Sequence, residues 1–175
     1  MRRAFALSAA ALFGVSTAAA LDLPARRPGL WEIKMSFEQR NMPAQTSQHC
    51  IDAESDRMMN AMGTSIQKDM CAKQDTRRVG DTIVVDSVCK FGETTTSSHG
   101  VISGDFNSAY TVKVDSKREG GPPLPGSKPG QVTRMTLEAK WLGVCKAGQK
   151  PGDVIMSNGM RINVIDMQKA GTGKP

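Results

Sequence analysis

The stretch CAKQDTRRVG DTIVVDSVCK FGETTTSSHG VISGD, residues 71–105, decides the fold. Gly80-Asp81 and Gly92-Glu93 cut it into runs of about ten residues, and Gly104-Asp105 ends it. The first run, Cys71 to Val79, is polar. The second, Thr82 to Phe91, carries Ile83, Val84, Val85 and Val88. The third, Thr94 to Ser103, is rich in Thr and Ser. β-Branched runs of this length, with turns at so regular an interval, pair as antiparallel neighbours in a sandwich, barrel or meander.

Working outward, the pattern continues on both sides. Phe106 to Lys117 sets Tyr110, Val112 and Val114 on one face of a fourth run. Gly120 to Gly130 is a loop by composition, since no regular element survives so many Gly and Pro. Gln131 to Trp141 then aligns Met135, Leu137, Ala139 and Trp141. Upstream, Pro28-Gly29 is a turn, and Leu30 to Glu38 alternates strictly: Trp31, Ile33, Met35 and Phe37 against Glu32, Lys34, Ser36 and Glu38. Asn41-Met42-Pro43 breaks that strand, and Gln45 to Ile51 is a weaker one. Between Asp52 and Gln67 the period changes. Met58, Met59, Met62 and Ile66 recur at helical spacing, Asp52 or Ser55 is placed to cap the start, and Gly63 weakens or ends the helix. The expected fold is mainly β: a single antiparallel meander sheet of about seven strands, curled into a half-barrel or barrel, with one short amphipathic helix at its end or across its face.

The chain of 175 residues suffices for one domain. Residues 1–20 combine Arg2 and Arg3, a short apolar run and the small residues Ala18 and Ala20 at A-x-A positions, which predicts a signal peptide cleaved after Ala20. That run is shorter than the ~20 apolar residues a spanning helix needs. No Cys follows the cleavage site to take a lipid, and no later segment is apolar enough for a transmembrane helix. The expectation is a soluble, exported protein of the periplasm: a mobile lead-in over residues 21–27, a β domain over 28–150 and a tail over 151–175. In the tail, Pro151-Gly152-Asp153 starts a helical turn, Met160 to Met167 packs back, and Ala170 to Pro175 is disordered.

Four cysteines in an exported chain read as two disulfides, and no two of them stand close enough for the usual zinc spacing. Consecutive pairing, Cys50 with Cys71 and Cys89 with Cys145, is open to the chain, because the helix between the first two can fold back on its own start. The hairpin around Gly80-Asp81 favours the other arrangement. It sets Cys71 and Cys89 nearly level, which leaves Cys50 to pair with Cys145. A β-bulge in either strand is expected to cost that alignment.

The formal charge of +6 includes Arg2 and Arg3, so the mature excess is mild. Scattered basic residues and few aromatics give no basis for nucleic-acid binding. Pro28-Gly29-Leu30-Trp31-Glu32, the Cys50-Ile51 step before a helix, the two mid-chain cysteines and the late Gly143-Val144-Cys145 resemble the DUF3617 family, exported proteobacterial proteins of unknown function. The resemblance covers residues 28–150. It implies a small periplasmic β-rich domain and brings no catalytic residues with it.

Three patterns carry possible chemistry. His49 and His99 are the only histidines; a hydrolase using His99 and a nearby Ser would also need an orienting acid and an oxyanion hole, and no G-x-S-x-G signature is present. Met58, Met59 and Met62, flanked by Met42 and Met70, suit Cu(I), but helical spacing equally makes them a core face. Hydroxyls on both faces of Thr94–Ser98 suit a polar cavity or an ordinary exposed strand. The reading taken forward is a monomeric, non-enzymatic domain without cofactor or metal. It binds an envelope partner or small apolar ligand on a face made by Trp31, Ile33, Met35, Met58, Met62 and Trp141.

Overall fold

A computed structural model describes residues 23–38, 43–122 and 130–172. Residues 1–20 with the cleavage point, the centre of the Gly/Pro loop, Asn41-Met42 and the last three residues lie outside the described residues. The strands are β1 (Gly29–Phe37), β2 (Gln45–Ile51), β3 (Cys71–Val79), β4 (Thr82–Phe91), β5 (Thr94–Asp105), β6 (Ala109–Glu119), β7 (Val132–Gly143), β8 (Asp153–Ile155) and β9 (Arg161–Asn163). Two helices join them, α1 (Ala53–Met70) and α2 (Val164–Thr172). All nine strands form one antiparallel sheet in the order β3-β4-β5-β6-β7-β1-β2-β8-β9. The sheet curls like a half-barrel without closing.

Partners across an antiparallel ladder share a face. Tyr110 stands opposite Ala139, Val112 opposite Leu137 and Ile102 opposite Val112, so the apolar alternations of β5, β6 and β7 fall on one surface. β1 adds Ile33, opposite Ala139, and β2 adds His49, opposite Trp31. Trp31, Ile33, Ile51 and Ala139 form the buried centre, with Met59 of α1 and Tyr110, Leu137 and Trp141 packed against it. Trp31, fully enclosed, also meets the Tyr110 ring at 5.7 Å. An enclosed Trp contributes roughly 2–3 kcal/mol of burial free energy.

Two disulfides tie the sheet. Cys50 is bonded to Cys145, joining β2 to the end of β7 across the intervening β1. Cys71 is bonded to Cys89 at the foot of the β3–β4 hairpin. The expected effect of a bulge is reversed here. From Lys73↔Val88 up to Val79↔Thr82 the register is regular, and continuing it would set Ala72 against Cys89. A bulge between Cys71 and Lys73 takes up Ala72 and brings Cys71 opposite Cys89.

Several boundaries differ from the sequence reading, each for a local reason. α1 is capped by Asp52, whose Oδ1 accepts from the Ser55 N–H at 2.8 Å while the Asp52 N–H donates to Ser55 Oγ at 2.9 Å. It then passes through Gly63 and runs to Met70, because Gly63 keeps helical geometry. Gly104-Asp105 is not the β5–β6 turn. Both residues remain paired in the sheet, and the chain reverses over residues 106–108. There Asp105 accepts from the Asn107 N–H and from the Ser108 hydroxyl, which holds its carboxyl below the usual range. Gly104 has φ +111°, and a Cβ there would lie 2.6 Å from the Ala109 carbonyl oxygen, so glycine serves close approach of two backbones. The tail does not begin a helix at Pro151. It supplies β8, which pairs with β2 at Gln48 and His49, then β9 and α2, which contacts α1. Ala170, expected in a disordered end, lies within α2.

Candidate functional site

The lead-in before β1, expected to be mobile, is fastened at several points. The Arg27 N–H donates to the Phe106 carbonyl at 2.9 Å, and the indole of Trp31 donates to the Arg27 carbonyl at 2.8 Å. The indole of Trp141 donates to the Pro28 carbonyl at 3.1 Å, with the Arg27 guanidinium 3.8 Å above its ring. Gly29, at φ +131°, permits this: a Cβ there would stand 2.6 Å from Trp141 Nε1. Both tryptophans of the sequence thus hold the lead-in against the sheet.

The strongest fastening is electrostatic. Arg26 Nε donates to Asp56 Oδ1 at 2.7 Å, and the Arg26 backbone N–H donates to Asp56 Oδ2 at 2.9 Å. The two side chains are 9% and 1% exposed. Asp56 falls one turn into α1 from its cap, on the stripe with Met59, and a carboxylate so enclosed requires a cation. Sequence reasoning missed this pair. The available signal was an Asp three positions before Met59, on the face assigned to the core.

Between the lead-in, α1 and the curled sheet lies a cavity of about 400 Å³. Its floor is Ile33, Ile102, Tyr110, Val112 and Leu137; Met59 and Met62 of α1, with Leu23 and Pro24, form the opposite wall. His49, Val154 and Val164 close one side. Arg26, His49, Asn60 and the Tyr110 hydroxyl are its polar groups. Burial, then the nearby Arg26 charge, pushes His49 down to about 4, so its ring is neutral at physiological pH. Its Nε2 lies 3.0 Å from Ser47 Oγ, while Nδ1 is enclosed without a protein partner. Burial raises Tyr110 above the ordinary phenol range, against the opposing charge and hydrogen bond of Arg26.

Of the six residues expected to form the ligand face, Ile33 and Met62 line this cavity. Trp31 sits beneath it in the core, behind Tyr110. Trp141 also packs against the core and is spent on Pro28 and Arg27. Met35 shares the β1 face of Ile33 but does not reach the cavity, and Met58 turns aside where Met59 enters. Of the methionines considered for Cu(I), Met59 and Met62 line the cavity, with Met59 Sδ 3.5 Å from the Arg26 guanidinium; Met70 is exposed, and Met42 lies outside the described residues.

His99 lies on the other face of the sheet, since β5 turns Ile102 and Gly100 toward the cavity side and His99 away. Its Nδ1 meets Asp86 Oδ1 at 2.6 Å, with Arg77 on the other Asp86 oxygen at 2.6 Å. The orienting acid of a triad is therefore present. Among the described residues, however, no serine hydroxyl bonds to His99; Ser98 bonds Ser116 instead, at 2.9 Å. In the Thr94–Ser98 run, Thr94 is buried and accepts from Arg118 on its hydroxyl, while Ser97 is exposed.

The family model described as "Protein of unknown function (DUF3617)" matches residues 26–145. The chain belongs to the DUF3617 family. The matched DUF3617 stretch takes in Arg26, Asp56, the first seven strands, α1 and all four cysteines, and it stops before β8, β9 and α2. No curated protein and no solved structure matches the chain.

Proposed function

We propose that this DUF3617 domain is a non-enzymatic binding protein that takes a small apolar ligand into the cavity beneath α1. The cavity itself carries the reading. Its volume of about 400 Å³ falls in the range of small-molecule sites, and apolar side chains with a few placed polar groups line it. Its polar groups suit holding rather than reacting. Asp56 is spent on Arg26, and neutral His49, though beside the Ser47 hydroxyl, has no carboxylate on Nδ1 to orient it among the described residues. The exposed His99–Asp86 pair lies on the opposite face, in a more open concavity of about 350 Å³ that Lys73, Ser97 and Asp115 also line.

The domain acts in the periplasm after loss of residues 1–20. The n-region, apolar run and A-x-A site of that segment support export, as do the two disulfides. Among the described residues no helix is long and apolar enough to cross a membrane. N-terminal sequencing of the protein from intact cells is expected to start at Leu21; a chain still starting at Met1 removes the periplasmic part.

The binding test uses the uncharged fluorophore N-phenyl-1-naphthylamine. Saturable binding of one molecule per chain is expected, with energy transfer from Trp31 behind the Tyr110 wall. Val112→Trp fills the cavity floor and is expected to abolish binding while circular dichroism is unchanged. Binding that never saturates, or that survives Val112→Trp unaltered, defeats the reading.

A further inference from the structure

The walls of the cavity are apolar apart from Arg26, His49, Asn60 and the Tyr110 hydroxyl, and the Arg26 guanidinium is deeply enclosed and incompletely matched. Nε is taken by Asp56 Oδ1 at 2.7 Å, and the second carboxylate oxygen is taken by the Arg26 backbone N–H. Nη2 faces Met59 Sδ at 3.5 Å, and the Arg26 side chain also hydrogen-bonds the Tyr110 hydroxyl. A thioether is a weak acceptor, and guanidinium offers five N–H donors in a fixed fork. The Nη edge therefore presents strong donors at the boundary of a largely apolar space, where a good acceptor gains more than it does in water.

Charge narrows the acceptor. Asp56 already neutralises Arg26. A ligand carboxylate brought to the same guanidinium would leave an uncompensated negative charge beside Asp56, in surroundings where such charges are costly. A ligand cation would meet Arg26 and find no second anion, since His49 and Tyr110 are neutral side chains at physiological pH. An uncharged oxygen acceptor meets neither cost. The volume of about 400 Å³ suits a single-chain or drug-sized body.

We propose that the cavity selects an uncharged apolar molecule bearing a carbonyl oxygen, of the fatty ester or ketone class, and that the Nη groups of Arg26 bind that oxygen. The proposal rests on the cavity being a ligand site and adds the chemistry of what enters it.

Competition against N-phenyl-1-naphthylamine tests it, with dodecane, methyl laurate, laurate and dodecylamine as probes at neutral pH. Methyl laurate is expected to bind about tenfold more tightly than dodecane, the worth of one good hydrogen bond, and more tightly than either charged probe. The carbonyl stretch of 13C-labelled methyl laurate is expected to move to lower frequency on binding. Arg26→Lys keeps a cation for Asp56 but loses the fork; it is expected to erase the preference for methyl laurate over dodecane. Should that variant not fold, the infrared shift in the unmodified protein decides. Equal binding of ester and alkane, tightest binding by laurate, or an unshifted carbonyl overturns the proposal. If the naphthylamine binds and none of the four probes displaces it, this proposal falls while the cavity reading stands. If the naphthylamine itself fails to bind, the cavity reading falls.

Discussion

Around β1 and β2, Leu30, Trp31, Cys50 and Ile51 are closed off from solvent; along β3 only Cys71 and Thr76 are better than exposed. The same sheet contains both regions, joined by a continuous backbone ladder. The difference lies in what covers them. The lead-in, the first turns of α1, α2 and the β8–β9 hairpin gather over or beside β1 and β2, whereas β3 is an edge strand lined by Lys73, Asp75, Arg77 and Arg78. Those charges discourage pairing with another chain. One region is held by packing and a buried ion pair, the other by hairpin hydrogen bonds and a local staple. The cavity belongs to the first.

The largest difference is expected between the two disulfides. Replacing Cys50 and Cys145 by Ala opens a link of sequence separation 95 and loosens a buried Cys50; the loop-entropy relation gives a loss of about 4–5 kcal/mol. Replacing Cys71 and Cys89 opens a link of separation 18 and is expected to cost about 3 kcal/mol. Urea denaturation of the two variants ranks them. A reversed order would show that the hairpin end, not the covered end, limits stability.

Next comes Asp56→Ala, which strands the Arg26 guanidinium in the interior. A loss of about 3–5 kcal/mol is expected. Its counterpart in the exposed region is Asp86→Ala. Asp86 also holds an arginine and a histidine, and His99 and Arg77 together keep its carboxyl below the ordinary range, yet both partners are about half exposed. Water replaces Asp86 there, so the denaturation midpoint is expected to stay within error. Equal losses from the two substitutions would erase the distinction between the regions.

pH separates them a second way. Unfolded, His49 takes a proton near its ordinary 6.5; folded, it resists until about 4. Between those values the unfolded chain holds more protons, so stability falls as pH falls, by about 3 kcal/mol in total. Above pH 6.5 the histidine contributes no slope, and below about 4 no further loss. Asp52 and Asp153 extend the decline at the acid end. Asp52 is held low by its Ser55 hydrogen bonds; for Asp153, burial pushes up but the Asn163 and Lys150 bonds and the Arg161 charge outweigh it. His49→Phe is expected to flatten the curve between pH 6.5 and 4.

The same contrast explains how much the sequence disclosed. β2, β3 and β4 were legible to the residue, because alternation and the Gly-led turns are local signals. Asp52 declared the helix start for the same reason. Of the covering layer, the sequence disclosed α1 and little else. β8 and β9 have three residues each, too few for a period, and they form only because β2 offers Gln48 and His49 as a template. Arg26 looks like any lead-in arginine until α1 brings Asp56 to it from thirty positions away. Of the residues named for a ligand face, the alternation of β1 brings Ile33 and the helix spacing brings Met62 to the cavity, but spacing alone could not choose between Met58 and Met59. That choice is made by the angle at which Ser55 and Asp56 dock, and both are buried.

Where the covered region ends along α1 is the last question the comparison raises. Ser55 and Asp56 are enclosed and Met59 is half-buried, but Ala61 to Ser65 are exposed, and a Cβ built on Gly63 meets nothing within 4 Å. Over residues 61–65 the helix therefore continues past its packed turns with little side-chain burial. Glycine costs such a segment about 1 kcal/mol relative to alanine, since it has more freedom to lose and no contacts to recover it with. Gly63→Ala is accordingly expected to stabilise the protein by about 1 kcal/mol and to slow amide exchange in residues 60–66, leaving naphthylamine affinity unchanged. A destabilising alanine would mean that the second half of α1 packs more closely than this arrangement has it, extending the covered region toward β3.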